Sequence, residues 1–173
     1  MKNVFQLLLL LLFCGSLNAQ DKNVFDVARK GTLSEIEGIY QKNPEFVNAI
    51  NDNKATPLIL ACYRNNEAVA LYLTDKVANI NYNSGMGTAL MAAIMSGNKT
   101  IIEKLISKKA DLDQKDTQGK TALIYAAFNN NLEITKILIK AGANSKLADN
   151  EKRTALDYAK FNKNTQLIIL LDH

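Results

Sequence analysis

Histidine is all but missing from these 173 residues, and His173, the last of them, stands alone. A terminal residue is where order is weakest, so His173 reads as a frayed end, not a catalyst or ligand. A catalytic constellation needs groups that can converge, and a lone terminal histidine offers none. Cysteine is nearly as scarce, and Cys14 and Cys62 fit no cysteine–histidine zinc spacing. The 8 glycines are scattered at turns, which excludes a glycine-rich loop that cradles phosphate. An excess of one charge is lacking too. The 21 Lys and Arg are interspersed with 17 Asp and Glu, a net charge of +4 with no basic block, which argues against nucleic acid as the partner. The expectation is a chain that is not an enzyme and holds no cofactor and no metal.

Long apolar runs are confined to the first 20 residues. Lys2 gives a positive start, residues 7–13 are an unbroken apolar run, and Ser16-Leu17-Asn18-Ala19 offers a small residue at a cut site. That is the plan of a secretory signal peptide. The run falls short of the roughly 20 apolar residues a spanning helix needs. An uncleaved N-terminal anchor is one alternative. A lipoprotein signal at Cys14 is another, though bulky Phe13 fits badly before it. No later segment is long enough to span a bilayer.

Cleavage after Ala19 leaves 173 − 19 = 154 residues, ample for one domain with a sizeable core. The charge falls to +3 with the loss of Lys2. Cys62 then has no partner for an internal disulfide, so packing alone must stabilise the fold, and Cys62 reads as a small buried apolar residue. The Asn- and Lys-rich composition has a bacterial flavour. The expected location is periplasmic or secreted.

What is abundant is repetition. Thr56-Pro57-Leu58, Thr88-Ala89-Leu90, Thr121-Ala122-Leu123 and Thr154-Ala155-Leu156 are one phrase written four times, the threonines 32, 33 and 33 residues apart. Ala61, Ala93, Ala126 and Ala159 each follow five residues after the threonine. A threonine hydroxyl can accept from a free backbone N–H at a helix start. The leucines at plus two and the alanines at plus five share one side of the helix that follows. Alanine there lets neighbouring helices approach closely. A second helix in each unit is marked by Val69, Leu71 and Leu73, by Ile101, Ile102, Leu105 and Ile106, by Ile134, Ile137, Leu138 and Ile139, and by Leu167, Ile168, Leu170 and Leu171.

A T-P-L-x-x-A phrase at a period of about 33 residues resembles the ankyrin repeat family. The resemblance covers about residues 21–172. At plus nine the family has glycine, where the chain leaves the helix with positive φ. Gly97 keeps it, Asn65 and Asn130 replace it with the next most tolerant residue, and Lys163 departs from it. Ala78-Asn79-Ile80-Asn81, Ala110-Asp111-Leu112-Asp113 and Gly142-Ala143-Asn144 resemble the family's unit endings. Asp111-x-Asp113 therefore reads as a turn and not a metal pair. Asn98-Lys99-Thr100 matches a glycosylation acceptor, relevant only in a eukaryote.

The resemblance implies an all-α ankyrin repeat solenoid of about five helix-loop-helix units joined by short hairpin fingers. The divisions are 1–19 (signal peptide), 20–51 (N-terminal capping repeat), 52–83, 84–116 and 117–149 (repeats), and 150–173 (truncated C-terminal repeat). In the cap, Phe25, Val27 and Ala28 precede Gly31, taken as the helix-end glycine. Ile36, Ile39 and Tyr40 follow, and Pro44 stops the second helix. The finger at residues 82–87 is expected to be one residue short and loosened by glycine.

Members of this family usually bind other proteins. The resemblance puts plus seven and plus eight on the concave side, in this chain Tyr63, Met95, Phe128 and Phe161 with Arg64, Ser96, Asn129 and Asn162. Packing of these large residues against neighbouring units is the competing reading. The fingers add Asp52, Asn53, Ser84, Thr117, Gln118, Lys120, Asn150, Glu151 and Arg153. The expected function is an exported, monomeric scaffold that binds one protein partner through this face. The alternatives are an accessory or chaperone-like factor for an exported enzyme such as a catalase, by analogy within the family, or an immunity or inhibitor protein.

Overall fold

The computed structural model describes residues 23–172. Signal cleavage at Ala19 and lipidation at Cys14 fall outside them. Among the described residues ten α-helices follow in pairs: α1 (Val24–Lys30) and α2 (Leu33–Lys42), then α3 (Pro57–Tyr63) and α4 (Glu67–Thr74), then α5 (Ala89–Ser96) and α6 (Lys99–Ser107), then α7 (Ala122–Phe128) and α8 (Leu132–Lys140), and α9 (Ala155–Phe161) and α10 (Thr165–Leu171). A 3-10 helix, Pro44–Asn48, follows α2. The first helices pack in order, α1 on α3, α3 on α5, α5 on α7 and α7 on α9. The second helices form the other layer, with α2 on α4, α4 on α6 and α8 on α10.

The recurrent phrase explains the first layer. Thr56, Thr88, Thr121 and Thr154 each cap a helix, the hydroxyl accepting from the amide of Ile59, Met91, Ile124 and Asp157. Each such cap is worth about 1 kcal/mol. Ala61, Ala93, Ala126 and Ala159 are fully buried between adjacent first helices. Leu58, Leu90 and Leu123 are buried beside them. Leu156 is only half-buried, since no described helix lies beyond the last pair to cover it.

In the second layer the full burial falls on Val69, Leu73, Ile101, Ile102, Leu105, Ile134, Leu138, Leu167 and Leu171. Leu71, Ile106, Ile137, Ile139, Ile168 and Leu170 are only half-buried. Fully burying an aliphatic side chain contributes about 1.5–3 kcal/mol, so the first set carries most of this layer's stability. Cys62 is buried and free, and its thiol pKa is pushed up by that burial.

The helix-to-helix turn uses the left-handed region in all four repeated units. Asn65, Gly97, Asn130 and Lys163 have φ of 57°, 75°, 55° and 54°. The last unit therefore departs from the pattern in residue but not in conformation. Gly31 corrects its sequence assignment: its φ of −82° and ψ of −179° are extended, so no positive φ calls for glycine. Space does instead, because a Cβ there would lie 2.7 Å from Val27 Cα.

One recurrent residue was not singled out in the sequence. Asn66, Asn98, Asn131 and Asn164 all lie ten after the threonine, at the N-caps of the second helices. Asn98, Asn131 and Asn164 accept from helix amides. The Asn98 amide also donates to Asn65 Oδ1 at 2.7 Å, and that of Asn164 to Asn130 Oδ1 at 2.7 Å. Asn66 instead donates to the carbonyls of Ala28 and Gly31 at 3.2 and 2.9 Å, closing the end of α1. Both polar groups of Asn98 are thus engaged, a structural use for the glycosylation-like triplet.

The fingers are hydrogen-bonded turns. Among the described residues the only ladder pairing is an isolated bridge between Ala148 and Thr154. Asn51, Asp116 and Asp149 each close a turn, one side-chain oxygen accepting from the amides two and four residues on. The finger before Thr88 breaks this rule. Asn83 accepts only from Gly85, and the turn closes through Ser84 N–H to Gly87 O at 3.1 Å. Gly85 and Gly87 sit at φ of 87° and 127°, as a shortened, glycine-loosened finger requires.

Candidate protein-binding face

Two fingers and two first helices build the most structured part of the expected face. Asp116 is buried at the foot of its finger. One of its oxygens accepts from the Gln118 and Lys120 amides, the other from the Tyr125 hydroxyl at 2.6 Å. Asp149 repeats the arrangement one unit later, with the Glu151 and Arg153 amides and the Tyr158 hydroxyl at 2.5 Å. Each tyrosine lies nine residues after its aspartate, so finger and first helix are tied by a charge-assisted bond.

The titration behaviour follows from this geometry. Burial, then the hydrogen bond to Asp116, pushes the Tyr125 pKa up. Burial and the bond to Asp149 push Tyr158 up to about 12. For Asp149, burial alone would raise the pKa. The bonds from Tyr158 and from the Arg153 and Glu151 amides outweigh it, and the carboxyl is held below its usual value.

Cations and rings cover these buried pairs. Lys120 Nζ lies 5.7 Å from the Tyr125 ring centroid and 5.2 Å from that of Phe128. Phe128 meets Tyr158 edge to face at 5.6 Å. The Arg153 guanidinium lies 4.9 Å over Tyr158, and its NH2 is 2.7 Å from Glu151. Nearer the N-terminus, Arg64 lies 5.9 Å from the centre of the Tyr63 ring.

The large plus-seven residues are neither free nor buried. Tyr63, Met95, Phe128 and Phe161 expose 57%, 46%, 49% and 83% of their surface. The plus-eight residues divide by role. Asn162 donates to the carbonyls of Ala127 and Phe128, linking one unit to the next. Asn129 reaches Met95 Sδ at 3.6 Å. The Ser96 hydroxyl donates back to Ala93 O within its own helix, while Arg64 is exposed. Gln118 is exposed at a finger tip, its carbonyl accepting from the Asn150 amide of the next finger. Sequence reasoning missed Tyr125, Tyr158, Asp116 and Asp149. The signal was present: an aspartate and a tyrosine nine residues apart recur one period later.

Among the described residues no group of His, Cys, Asp and Glu is placed to hold a metal ion. No described helix is long and apolar enough to cross a membrane.

Stacked helix pairs with capped, recurrent starts define a helical repeat solenoid, a class that works by offering surface. The chain belongs to the ankyrin repeat family, whose profile of ankyrin repeats in three copies matches residues 3–116 and 90–173. Ankyrin repeats generally mediate protein–protein interaction. The chain is similar to the rat ankyrin repeat and SAM domain-containing protein 6, 31% identical over 101 residues. It is 30% identical over 101 residues to the mouse protein of the same name. The match takes in 57% of this chain and 11% of each relative, so it spans about a tenth of their length.

Proposed function

We propose that this chain is an exported scaffold that binds one protein partner, as a monomer, through the face made by its first helices and fingers. The observation that carries the reading is the row of Tyr63, Met95, Phe128 and Phe161. They are large apolar side chains left about half exposed or more at one repeat position. Rings held this way bury large area with few rotamers lost, which suits them as anchors. Arg64, Asn129, Gln118, Lys120 and Arg153 supply the polar rim. Ser96 and Asn162, whose hydroxyl and side-chain N–H donate within the array, serve mainly to hold it.

Phe128→Ala is the decisive variant, because Phe128 lies within the array and half its surface is free. The partner is first recovered by affinity purification from the native compartment and identified by mass spectrometry. The variant should then lose at least about 2 kcal/mol of binding, roughly thirtyfold in affinity, with folding kept. Unfolding with unchanged affinity of the folded fraction would make the ring a core residue and defeat the reading. A partner held by the second helices would defeat it equally. Export is supported by the charged start and apolar run of the first 20 residues. Intact mass of the exported product tests it, and a full-length mass would overturn it.

A further inference from the structure

We infer that the patch of Phe128, Lys120 and Arg153, seated on the Tyr125 and Tyr158 rings, recognises a partner segment in which an apolar side chain is flanked by Asp or Glu. The inference rests on the binding face proposed above and names the chemistry that face selects. Three features of the patch point to carboxylates.

The patch's own buried acids are spent. Both oxygens of Asp116 and both of Asp149 accept hydrogen bonds from finger amides and tyrosine hydroxyls. Their oxygens are turned inward and already engaged, which leaves Lys120, Arg153 and the Phe128 ring as the groups that meet an incoming segment.

Lys120 is the second feature. Its ammonium rests over the Tyr125 and Phe128 rings, and no ion pair joins it to a carboxylate among the described residues. A cation that rests on rings without an ion pair retains its strongest partner, an anion, for something else. Arg64 over Tyr63 repeats the station further along the same row.

The third feature is an internal mimic. The Arg153 guanidinium stacks on Tyr158 and holds the exposed carboxylate of Glu151 at 2.7 Å. The side chain of Glu151 is 70% exposed, so this carboxylate sits where an incoming one would compete. Beside it, the half-exposed Phe128 ring supplies the apolar anchor. An isolated anion such as phosphate would engage the cations and leave that ring uncovered. An uncharged apolar segment would cover the ring and leave Lys120 without a counter-charge.

The test uses the folded chain as bait for a phage library of random dodecapeptides, with the selected peptides synthesised and titrated calorimetrically. Selected sequences should carry Leu, Ile or an aromatic residue with Asp or Glu on either side. Lys120→Gln should weaken them about fivefold, the size of one partly exposed charge pair. Glu151→Gln should tighten them about twofold by freeing Arg153, a gain that damage to the fold would not produce. Affinity should fall as sodium chloride rises from about 50 to about 500 mM, since screening shortens to a few ångströms.

The failures are distinguishable. Apolar peptides without acidic enrichment, bound equally by wild type and Lys120→Gln yet lost on Phe128→Ala, would overturn the carboxylate inference and leave the binding face standing. Peptides that bind Phe128→Ala as they bind wild type would overturn both. Thermal melts of each variant confirm that losses come from folded protein.

Discussion

Replacing Tyr158 with phenylalanine removes one oxygen atom and no packing volume, so it isolates the bond that ties the last finger to α9. The ring is nearly buried, and its hydroxyl donates at 2.5 Å to Asp149, which is 7% exposed. A hydrogen bond to a buried charged group contributes about 1.5–3 kcal/mol. The tyrosine pKa points the same way. It is raised from 10 to about 12, the direction that a hydrogen bond donated to a carboxylate produces. Burial is the larger cause of that rise, so only part of it belongs to the bond. Arg153 Nε, 3.6 Å from the same oxygen, can close in and recover some of the loss. Tyr158→Phe should therefore cost about 2 kcal/mol at pH 7, or about 4–8 °C in melting midpoint for a domain of this size. Urea denaturation of both proteins from pH 3 to pH 12 is the assay. The folded-state pKa of Tyr158 is raised, so its stabilisation is complete below pH 10 and is lost as pH climbs through about 12. The folded-state pKa of Asp149 is lowered, so its share is complete above the ordinary carboxylate value of 3.8 and fades as pH falls below it. The difference between the two proteins should form a plateau from about pH 5 to pH 9 and shrink at both ends. A difference below about 0.5 kcal/mol at pH 7, or one that does not vary with pH, would refute the reasoning.

Three further outcomes are expected. Ala126→Leu places a large side chain where the residue is fully buried between first helices, and should cost about 1–3 kcal/mol. An unchanged denaturation midpoint would contradict that packing. Lys163→Gly relieves a non-glycine residue at φ 54° on the exposed surface, and should raise stability by about 1 kcal/mol; lowered stability in the same urea assay would count against the assignment. Cys62 is fully buried with its thiol pKa pushed up. It should therefore resist a thiol reagent at pH 8 until denaturant is added, and prompt labelling of the native protein would show an open core.

The scaffold was legible because repetition multiplies weak signals. One threonine before a leucine says little. Four at spacings of 32, 33 and 33 residues specify a helix start each time, and each start carries the expected cap. The positive φ at Asn65 and Asn130 was readable from register and from asparagine's tolerance of that region; Lys163 read as a departure, since nothing in lysine itself favours the region, yet it adopts the same conformation. Gly31 was open to two readings. Glycine at a helix end has two uses, positive φ and close approach, and the sequence does not tell them apart. The structure shows the second, with Val27 too near for a Cβ.

The site was harder to read, because repeat register predicts position and says nothing about partners. It placed Asn162 and Ser96 among the binding residues beside Arg64. Only the hydrogen bonds show that Asn162 braces the preceding unit and Ser96 is satisfied by its own helix, whereas Arg64 is exposed over a ring. The same register passed over Tyr125 and Tyr158, which share plus four with Leu60 and Ala92, so no single residue type marks that position. Their role depends on a finger aspartate nine residues earlier, present as Asp116 and Asp149 but replaced by Asn51 and Asn83 in the preceding fingers. Asn51 keeps the turn and lacks the charge, and Asn83 lacks the charge and keeps only the first of the two turn bonds. The tyrosine–carboxylate tie can therefore exist only in the last two units, and the stacked cations Lys120 and Arg153 stand over those same units. The two halves of one regular array thus differ in kind: the exposed row of Tyr63, Met95, Phe128 and Phe161 runs through all four repeated units, while the tyrosine–carboxylate ties that brace finger against first helix belong to the last two.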